Sequence, residues 1–590
     1  MKRRIAMILA LSLLLAGCGG EKAPETAAPT IAPTEPAITE PVFENVTDII
    51  LDGDTVTAGG QMIGAESESD CGVFVSRDIV YYEDKEAYES GYPYGEGDDW
   101  ERHTAQEAEA HTVVNITRPG NYRLSGQLSL GQIRIDLGEN AGEDVDAVVN
   151  LILDGVDITC TVAPAILFRN VYECDGNWSV ETAKPDVDTS AAGANLILAS
   201  GSVNVVKGSH VAKIYKDKEG EKKLWKQDGA IYSYMSMNVA GSGKLDLYAD
   251  NEGLDSELHL TINGGDIAIR ADNDGINTNE DGVSVTTINA GSVHIIAGLG
   301  AEGDGIDSNG YLVINGGTVV AAAHPAADAG LDSDLGSYIH GGTVIALGST
   351  MDWAESDSGQ VTMNLQFAAY QDSSASILVQ KEDGTAVFAY DPGEDEVLAD
   401  QIRRYQGAIF SCPNFAVGES YQIWMDADIT GQETAGVYEA SSITAVSGGT
   451  RQSDTGTDVM MRPGGMGGFN GGPGEMGQPP EGFQGMNRGD MEFPEGEMPG
   501  MPGGMEPPAG EMPGMPEGME PPAGEMPTMP EGMEIPEDFF GGGWGQGGEP
   551  PAGFGGEMPG NAGSVSDGEA QNIFYMQDKV NFFSGVTAMK

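Results

Sequence analysis

Basic residues are scarce in this chain. Its 590 residues hold 29 Lys and Arg against 92 Asp and Glu, a formal net charge of −63. That imbalance argues against direct contact with nucleic acid or an anionic membrane surface. It argues equally against an acidic polysaccharide as a direct partner, unless cations bridge the two. Cysteine is scarce as well: there are five, without a CxxC spacing, so no structural zinc site is expected. Cys160 and Cys174 flank a short segment and suit pairing outside the cell, while free buried thiols fit equally well. The seven histidines, His103, His111, His210, His259, His294, His324 and His340, form no nucleophile–base pattern. Past the N-terminus no apolar run approaches 18 residues, so no further spanning helix is expected. Hydrophobic residues still make up 40% of the chain, enough for a sizeable core.

The N-terminus reads as an export signal. Lys2, Arg3 and Arg4 precede an apolar stretch over residues 5–15, too short to remain as an anchor. Leu15-Ala16-Gly17-Cys18 then resembles a bacterial lipobox, which makes residues 1–17 a signal peptide and Cys18 the lipidated first residue of the mature protein. An ordinary secretory signal with a chance cysteine is the alternative. Residues 18–44 are a Pro/Thr/Ala/Glu tether that cannot pack. The expected address is therefore the extracellular face of the cell membrane, reached through the lipid on Cys18.

Glycine and proline are abundant, at 86 and 31, and they concentrate toward the other end. Residues 451–564 are built chiefly from Met, Pro, Gly and Glu; EPPAGEMP begins at Glu506 and again at Glu520. Such a composition cannot bury enough apolar surface to order itself and reads as disordered. Residues 565–590 turn apolar again, and NIFYMQDKVNFFSGVTAMK from Asn572 suits a strand that folds back onto the main domain.

Internal repeats dominate the middle of the chain. TINGGDIAIRA from Thr261, TINAGSVHIIA from Thr287, VINGGTVVAAA from Val313 and YIHGGTVIALG from Tyr338 align, with Asn263, Asn289, Asn315 and His340 spaced 26, 26 and 25 apart. Each copy pairs a Gly-containing corner with period-two alternation, the signature of a strand. A second corner recurs between them as NEGLDS, NDGINT, GDGIDS and DAGLDS, with Gly253, Gly275, Gly305 and Gly330 in common. A repeat of about 25 residues with short strands and two fixed corners is the size of one coil of a β-solenoid. The expected fold is all-β: a parallel β-helix over residues 45–350 with an insertion at 62–110, then a smaller β region over 351–450 that covers the open edge.

Stacked coils place equivalent residues about 4.8 Å apart. Asp255, Asn277, Asp307 and Asp332 then form one column, and Glu252, Asp274 and Asp304 another, which Ala329 interrupts. Asp250, Asp272, Glu302, Asp328 and Asp334 lie beside them. Between residues 227 and 349 there are 17 acidic residues and two basic ones, Lys244 and Arg270. Carboxylates at ladder spacing repel, and a hard cation with oxygen ligands, calcium, relieves this most simply. The alternative is that Asp and Asn merely form turns; that accounts for one acid per corner, less well for the recurrence of the whole set.

These same stretches, DGAIYS, NEGLDSELHLTINGG, DNDGINTN, EGDGIDSNGYLVINGG and AGLDSDLGSYIHGG, together with GAIFSCPNFAVGESYQI from Gly407, resemble the clostridial carbohydrate-binding β-helix proteins. The resemblance spans about residues 45–450. It implies a right-handed parallel β-helix like that of polysaccharide lyases, calcium between coils, and binding of plant cell-wall polysaccharide such as cellulose or polygalacturonate. It does not account for the insertion at 62–110 or the Met-rich segment.

Two places suit sugar. Residues 207–226 hold seven lysines and Trp225 inside an otherwise acidic region; Lys222, Lys223, Lys226 and Trp225 make a cradle for carboxylates with a stacking ring, or a charged loop between coils. Tyr81, Tyr82, Tyr88, Tyr92, Tyr94 and Trp100 suit either a stacking platform or the cap of the solenoid. No catalytic residue is assigned. Arg270 is the one arginine of the repeat core, and its place beside Asp272 suits a salt bridge better than a lyase base. The expected function is calcium-dependent polysaccharide binding without cleavage; a structural adhesin and a polysaccharide lyase are the alternatives.

Overall fold

The structure is a computed structural model, and it describes residues 41–53, 55–64, 71–82, 101–176, 178–215, 224–326, 328–349, 351–372, 374–395, 397, 403–456 and 571–589. Cys18, the tether before residue 41 and most of the Met-rich segment lie outside the described residues, as do Tyr88, Tyr92, Tyr94, Trp100, Lys222 and Lys223.

The described chain is almost entirely β. Strands gather into a 26-stranded sheet, an 8-stranded sheet and a two-stranded hairpin. Three parallel ladders run through the repeats, and the chain visits them in turn. One contains Ala194–Leu198, Met237–Gly241, His259–Ile262, Val285–Ile288, Tyr311–Ile314 and Gly336–Ile339. A second contains Val203–Gly208, Lys244–Ala249, Asp266–Ala271, Ser292–Ile296, Thr318–Ala322 and Thr343–Gly348. The third, in the 8-stranded sheet, runs from Thr112–Ile116 through Gly131–Asp136, Ile166–Asn170, Gly229–Ser233, Glu252–Ser256 and Ile276–Thr278 to Ile306–Ser308.

Register follows the repeat. Ile267, Val293, Val319 and Val344 are partners in one column, and Ile269, Ile295, Ala321 and Ala346 in the next; all are fully buried. β-branched residues suit this pleated, buried surface, and each large side chain so buried contributes roughly 1.5–3 kcal/mol. The recurrent glycines divide into two kinds. At the Gly-Gly corners, Gly265, Gly291, Gly317 and Gly342 hold φ between +81° and +107°, which side chains rarely adopt. Ala290 stands in place of the first glycine of one corner. At the other corner the reason is proximity: a Cβ on Gly275 would stand 2.2 Å from Ile295 Cγ2.

Both ends of the ladders are covered. Arg404–Ser411 lies antiparallel on Thr343–Gly348 and continues into an antiparallel region that includes Thr362–Asp372, Ile377–Lys381, Ala386–Tyr390, Ser420–Gly431 and Ile443–Ser453. Val580–Ala588 enters this region beside Thr362–Asp372 and Ile443–Ser453, as the apolar C-terminal sequence suggests. At the opposite end, Val73–Ser76 pairs antiparallel with Thr112–Ile116. A six-residue helix, Ala105–Ala110, starts at a capping box in which Glu107 N donates to Thr104 Oγ1 and Thr104 N to Glu107 Oε2. Tyr81 and Tyr82 are buried in the main core, which is the cap position rather than a platform. The cysteines at 71, 160, 174 and 412 are free thiols.

Candidate functional site

In the third ladder Asp255 is in register with Asn277, and Asn277 with Asp307. A bridge between Ile306 and Leu331 brings Asp332 alongside. Leu254, Ile276 and Ile306 fill the core, so the alternation of the strand turns their neighbours, Asp255, Asn277 and Asp307, to the other face. Glu252, Asp274 and Asp304 precede the close-packed corner glycines and form a second acidic row. Asp304 N donates to Asp274 Oδ1 at 2.6 Å, tying one rung to the next.

The tightest group is Asp228, Glu252 and Asp255. One oxygen from each lies within 4.8 Å of the others, and all three residues are buried. Asn277 Nδ2 donates to Glu252 Oε1 at 3.1 Å, and Asn279 Nδ2 to Asp255 Oδ1 at 2.8 Å. Three buried oxygens receive no hydrogen bond: Glu252 Oε2, Asp255 Oδ2 and Asn277 Oδ1. Leaving a buried polar atom unsatisfied costs about 1–3 kcal/mol, more for a charged one. Lys226 Nζ lies 2.5 Å from Asp228 Oδ2 and is half-exposed. Burial works against its charge, but the carboxylates of Asp228 and Glu252 more than offset this and hold its pKa above the ordinary value.

One ammonium does not neutralise the rows. Burial pushes the Glu252 carboxyl up to about 7, with the charge of Asp228 adding to it. Burial and then Asp332 take Asp307 to about 7 as well. Asp255, Asp274 and Asp304 are raised well above the carboxylate range, each by burial first and neighbouring carboxylates second. Asp332 follows in the same direction. Burial in the absence of a cation favours the protonated form of each of these groups; with a cation they would supply carboxylate and amide oxygens, the donor set of calcium. The orphaned buried oxygens fit that ion.

The remaining acidic residues lie apart from this cluster or at its rim. Asp250 is exposed and accepts from Ser209 Oγ at 2.6 Å and pairs with His210 Nδ1 at 3.0 Å. Glu101 lies 3.6 Å from the other ring nitrogen. Burial opposes the His210 charge, yet its hydrogen bonds to Asp250 and Glu101 raise it to about 10. Asp272, Glu302 and Asp334 are exposed. Asp328 accepts from Gly303 N at 3.0 Å. Asp228 was not among the residues singled out from sequence, although it opens DGAIYS, the degenerate copy of the corner motif. Asp352 was also missed: it accepts from Ser333 N at 3.2 Å, and burial followed by Asp332 raises it to about 6. Nothing in its surrounding sequence repeats, so no pattern marked it. Arg270 sits on the second ladder, its guanidinium 5.1 Å from the Tyr248 ring centroid. Trp225 lies on the hairpin strand Leu224–Gln227.

Stacked parallel ladders with a buried acidic edge define a repetitive all-β protein. More particularly, the chain belongs to the family of carbohydrate-binding domain-containing proteins, whose model matches residues 110–458. A carbohydrate-binding domain-containing protein of Acetivibrio thermocellus (strain ATCC 27405) is 31% identical over 159 residues, which is 27% of this chain and 45% of that protein. The chain thus matches less than half the length of that relative. A solved structure described as a polysaccharide lyase-like protein from C. thermocellum, gadolinium derivative, is similar at 22% identity and a TM-score of 0.30, over 50% of this chain and 92% of the other.

Proposed function

We propose that this protein binds a polysaccharide of the plant cell-wall type, cellulose-like or pectin-like, at the bacterial surface and does not cleave it. In this reading the three ladders are the sides of a right-handed parallel β-helix, calcium holds the acidic rows together, and the lipid on Cys18 anchors the chain. Membership of a carbohydrate-binding family is the observation that carries the reading. The unsatisfied oxygens of Glu252, Asp255 and Asn277 support the ion.

The test is retention of the full-length protein on insoluble cellulose and on a polygalacturonate gel in calcium buffer, with ultraviolet absorbance followed in parallel. Retention on either polymer without growth of absorbance is the expected result. Accumulation of unsaturated uronate would overturn the non-cleaving reading, and retention on neither would overturn the binding reading itself.

A further inference from the structure

The first ladder carries a second feature, unrelated to the acidic rows. Asn263, Asn289, Asn315 and His340 follow one another at the ends of its strands, pointing away from the core residues Ile262, Ile288, Ile314 and Ile339. Asn289 Nδ2 donates to Asn263 Oδ1 at 2.8 Å, and Asn315 Nδ2 to Asn289 Oδ1 at 2.9 Å. Each amide in this chain keeps a second N–H and a carbonyl lone pair for another partner. Two residues back along the strands, Tyr338 lies 6.2 Å from Tyr311 and 6.1 Å from His340, centroid to centroid. The two tyrosines are part-exposed, and His340, Asn263 and Asn315 are exposed.

The face has a rim. Toward the N-terminal end, the same strands are crossed by the segment around Thr189, whose hydroxyl donates to Asn238 Oδ1 at 2.8 Å and accepts from Thr261 Oγ1 at 2.7 Å. Beyond that segment the surface opens. From Thr261 to His340 the outward positions of this ladder carry amides, hydroxyls, rings and the two valines Val285 and Val313, but no Lys or Arg. The charges that reach Tyr338 are acidic, from Asp357 and Glu355.

We infer that this face, Asn263, Asn289 and Asn315 with Tyr311, Tyr338 and His340, binds a neutral polysaccharide chain lying along the ladder, across its strands. The inference rests on the carbohydrate-binding reading and deepens it by naming the surface and the substrate class. Amides presented once per strand, about 4.8 Å apart, offer donor–acceptor pairs at a regular interval to successive hydroxyls. The rings offer apolar faces with polar edges, the combination that stacks on a sugar. Acidic neighbours and absent cations repel a uronate chain, so the match is to a neutral glycan.

Affinity electrophoresis of the full-length protein in calcium, through gels containing soluble neutral β-glucan or polygalacturonate, tests this. Y311A/Y338A should weaken neutral-glucan retardation at least tenfold with an unchanged melting temperature; N289D/N315D, which adds charge without removing a ring, should weaken it as well. Wild-type retardation by neutral glucan that survives both variants would overturn the site. Retardation by polygalacturonate alone would leave polysaccharide binding standing and overturn this inference. Retardation by neither polymer would overturn both.

Discussion

Calcium removal should destabilise this protein at pH 8 and barely affect it at pH 5. The folded chain raises Glu252 and Asp307 to about 7, from ordinary carboxyl values near 4. A raised carboxyl prefers its proton in the folded state, so its contribution is complete below the unfolded value and is lost as pH rises through 7. At about 1.4 kcal/mol per pH unit of difference, each group withdraws roughly 3–4 kcal/mol between pH 4 and pH 8. For a folded region of this size that is a fall in melting temperature on the order of 10 °C. A cation reverses the trend, because it binds the ionised carboxylates; at a hundred times its dissociation constant one site restores about 2.7 kcal/mol. Calorimetry of the full-length protein from pH 5 to pH 8, in calcium and in chelator, checks this. The two curves should converge at pH 5 and separate above pH 7. Equal melting temperatures at pH 8, or a chelated protein that gains stability as pH rises, would refute the reasoning.

Other consequences are local. G275V should drive a side chain into Ile295 and the Gly305 carbonyl; loss of soluble expression is expected, and a melting temperature within a degree of wild type would contradict the close-approach account. His294 pairs at 2.9 Å with Asp395, which is fully buried and also accepts from Tyr390. H294A removes one partner of that buried carboxylate, which keeps Tyr390 and Val397 N, and should cost about 1–3 kcal/mol in denaturant unfolding. Asp454 and Gln571 exchange backbone hydrogen bonds at 2.7 and 2.8 Å, so the chain leaves and returns at one point. Replacing residues 457–570 with a short Gly/Ser linker should therefore leave the melting temperature unchanged, whereas truncation at 456 should lower it by uncovering Met363, Leu365 and Phe367.

The repeat was legible because parallel stacking forces like onto like. Ile267, Val293, Val319 and Val344 must match in size, and Gly275 and Gly305 must stay bare, so the period of about 25 survives in the sequence. The acidic columns follow from the same register. Asp228 was harder to find, because in the coil that carries it the row of Glu252 is occupied by Gly229, its register partner. Chemistry made across long separations was not legible. Asp395 reaches His294 from 101 residues away, and Val580–Ala588 meets strands more than a hundred residues earlier, where no periodicity marks the partner. In the sequence the amide row serves only to align the repeats. Its exposure depends on where the Thr189 segment crosses the ladder, and nothing in the repeat records that.

The two sets of residues bear on how the proposed calcium and sugar sites would be coupled. Three successive repeats each supply one acidic corner to the third ladder and one amide to the first, and the fourth supplies His340 in place of the amide, so the proposed ion and glycan sites would lie on different strands of each repeat. A cation bound at Glu252 and Asp255 then acts on the glycan only by holding the stacking of the coils that spaces Asn263, Asn289 and Asn315. Neutral-glucan affinity in chelator should therefore match that in calcium while the apo protein remains folded, and collapse at its unfolding temperature. Measuring retardation at several temperatures across that transition separates this from a direct ion bridge. A bridge would weaken binding by the same factor at every temperature, including those where circular dichroism shows the chelated protein intact, and that result would move the ion from the scaffold to the sugar.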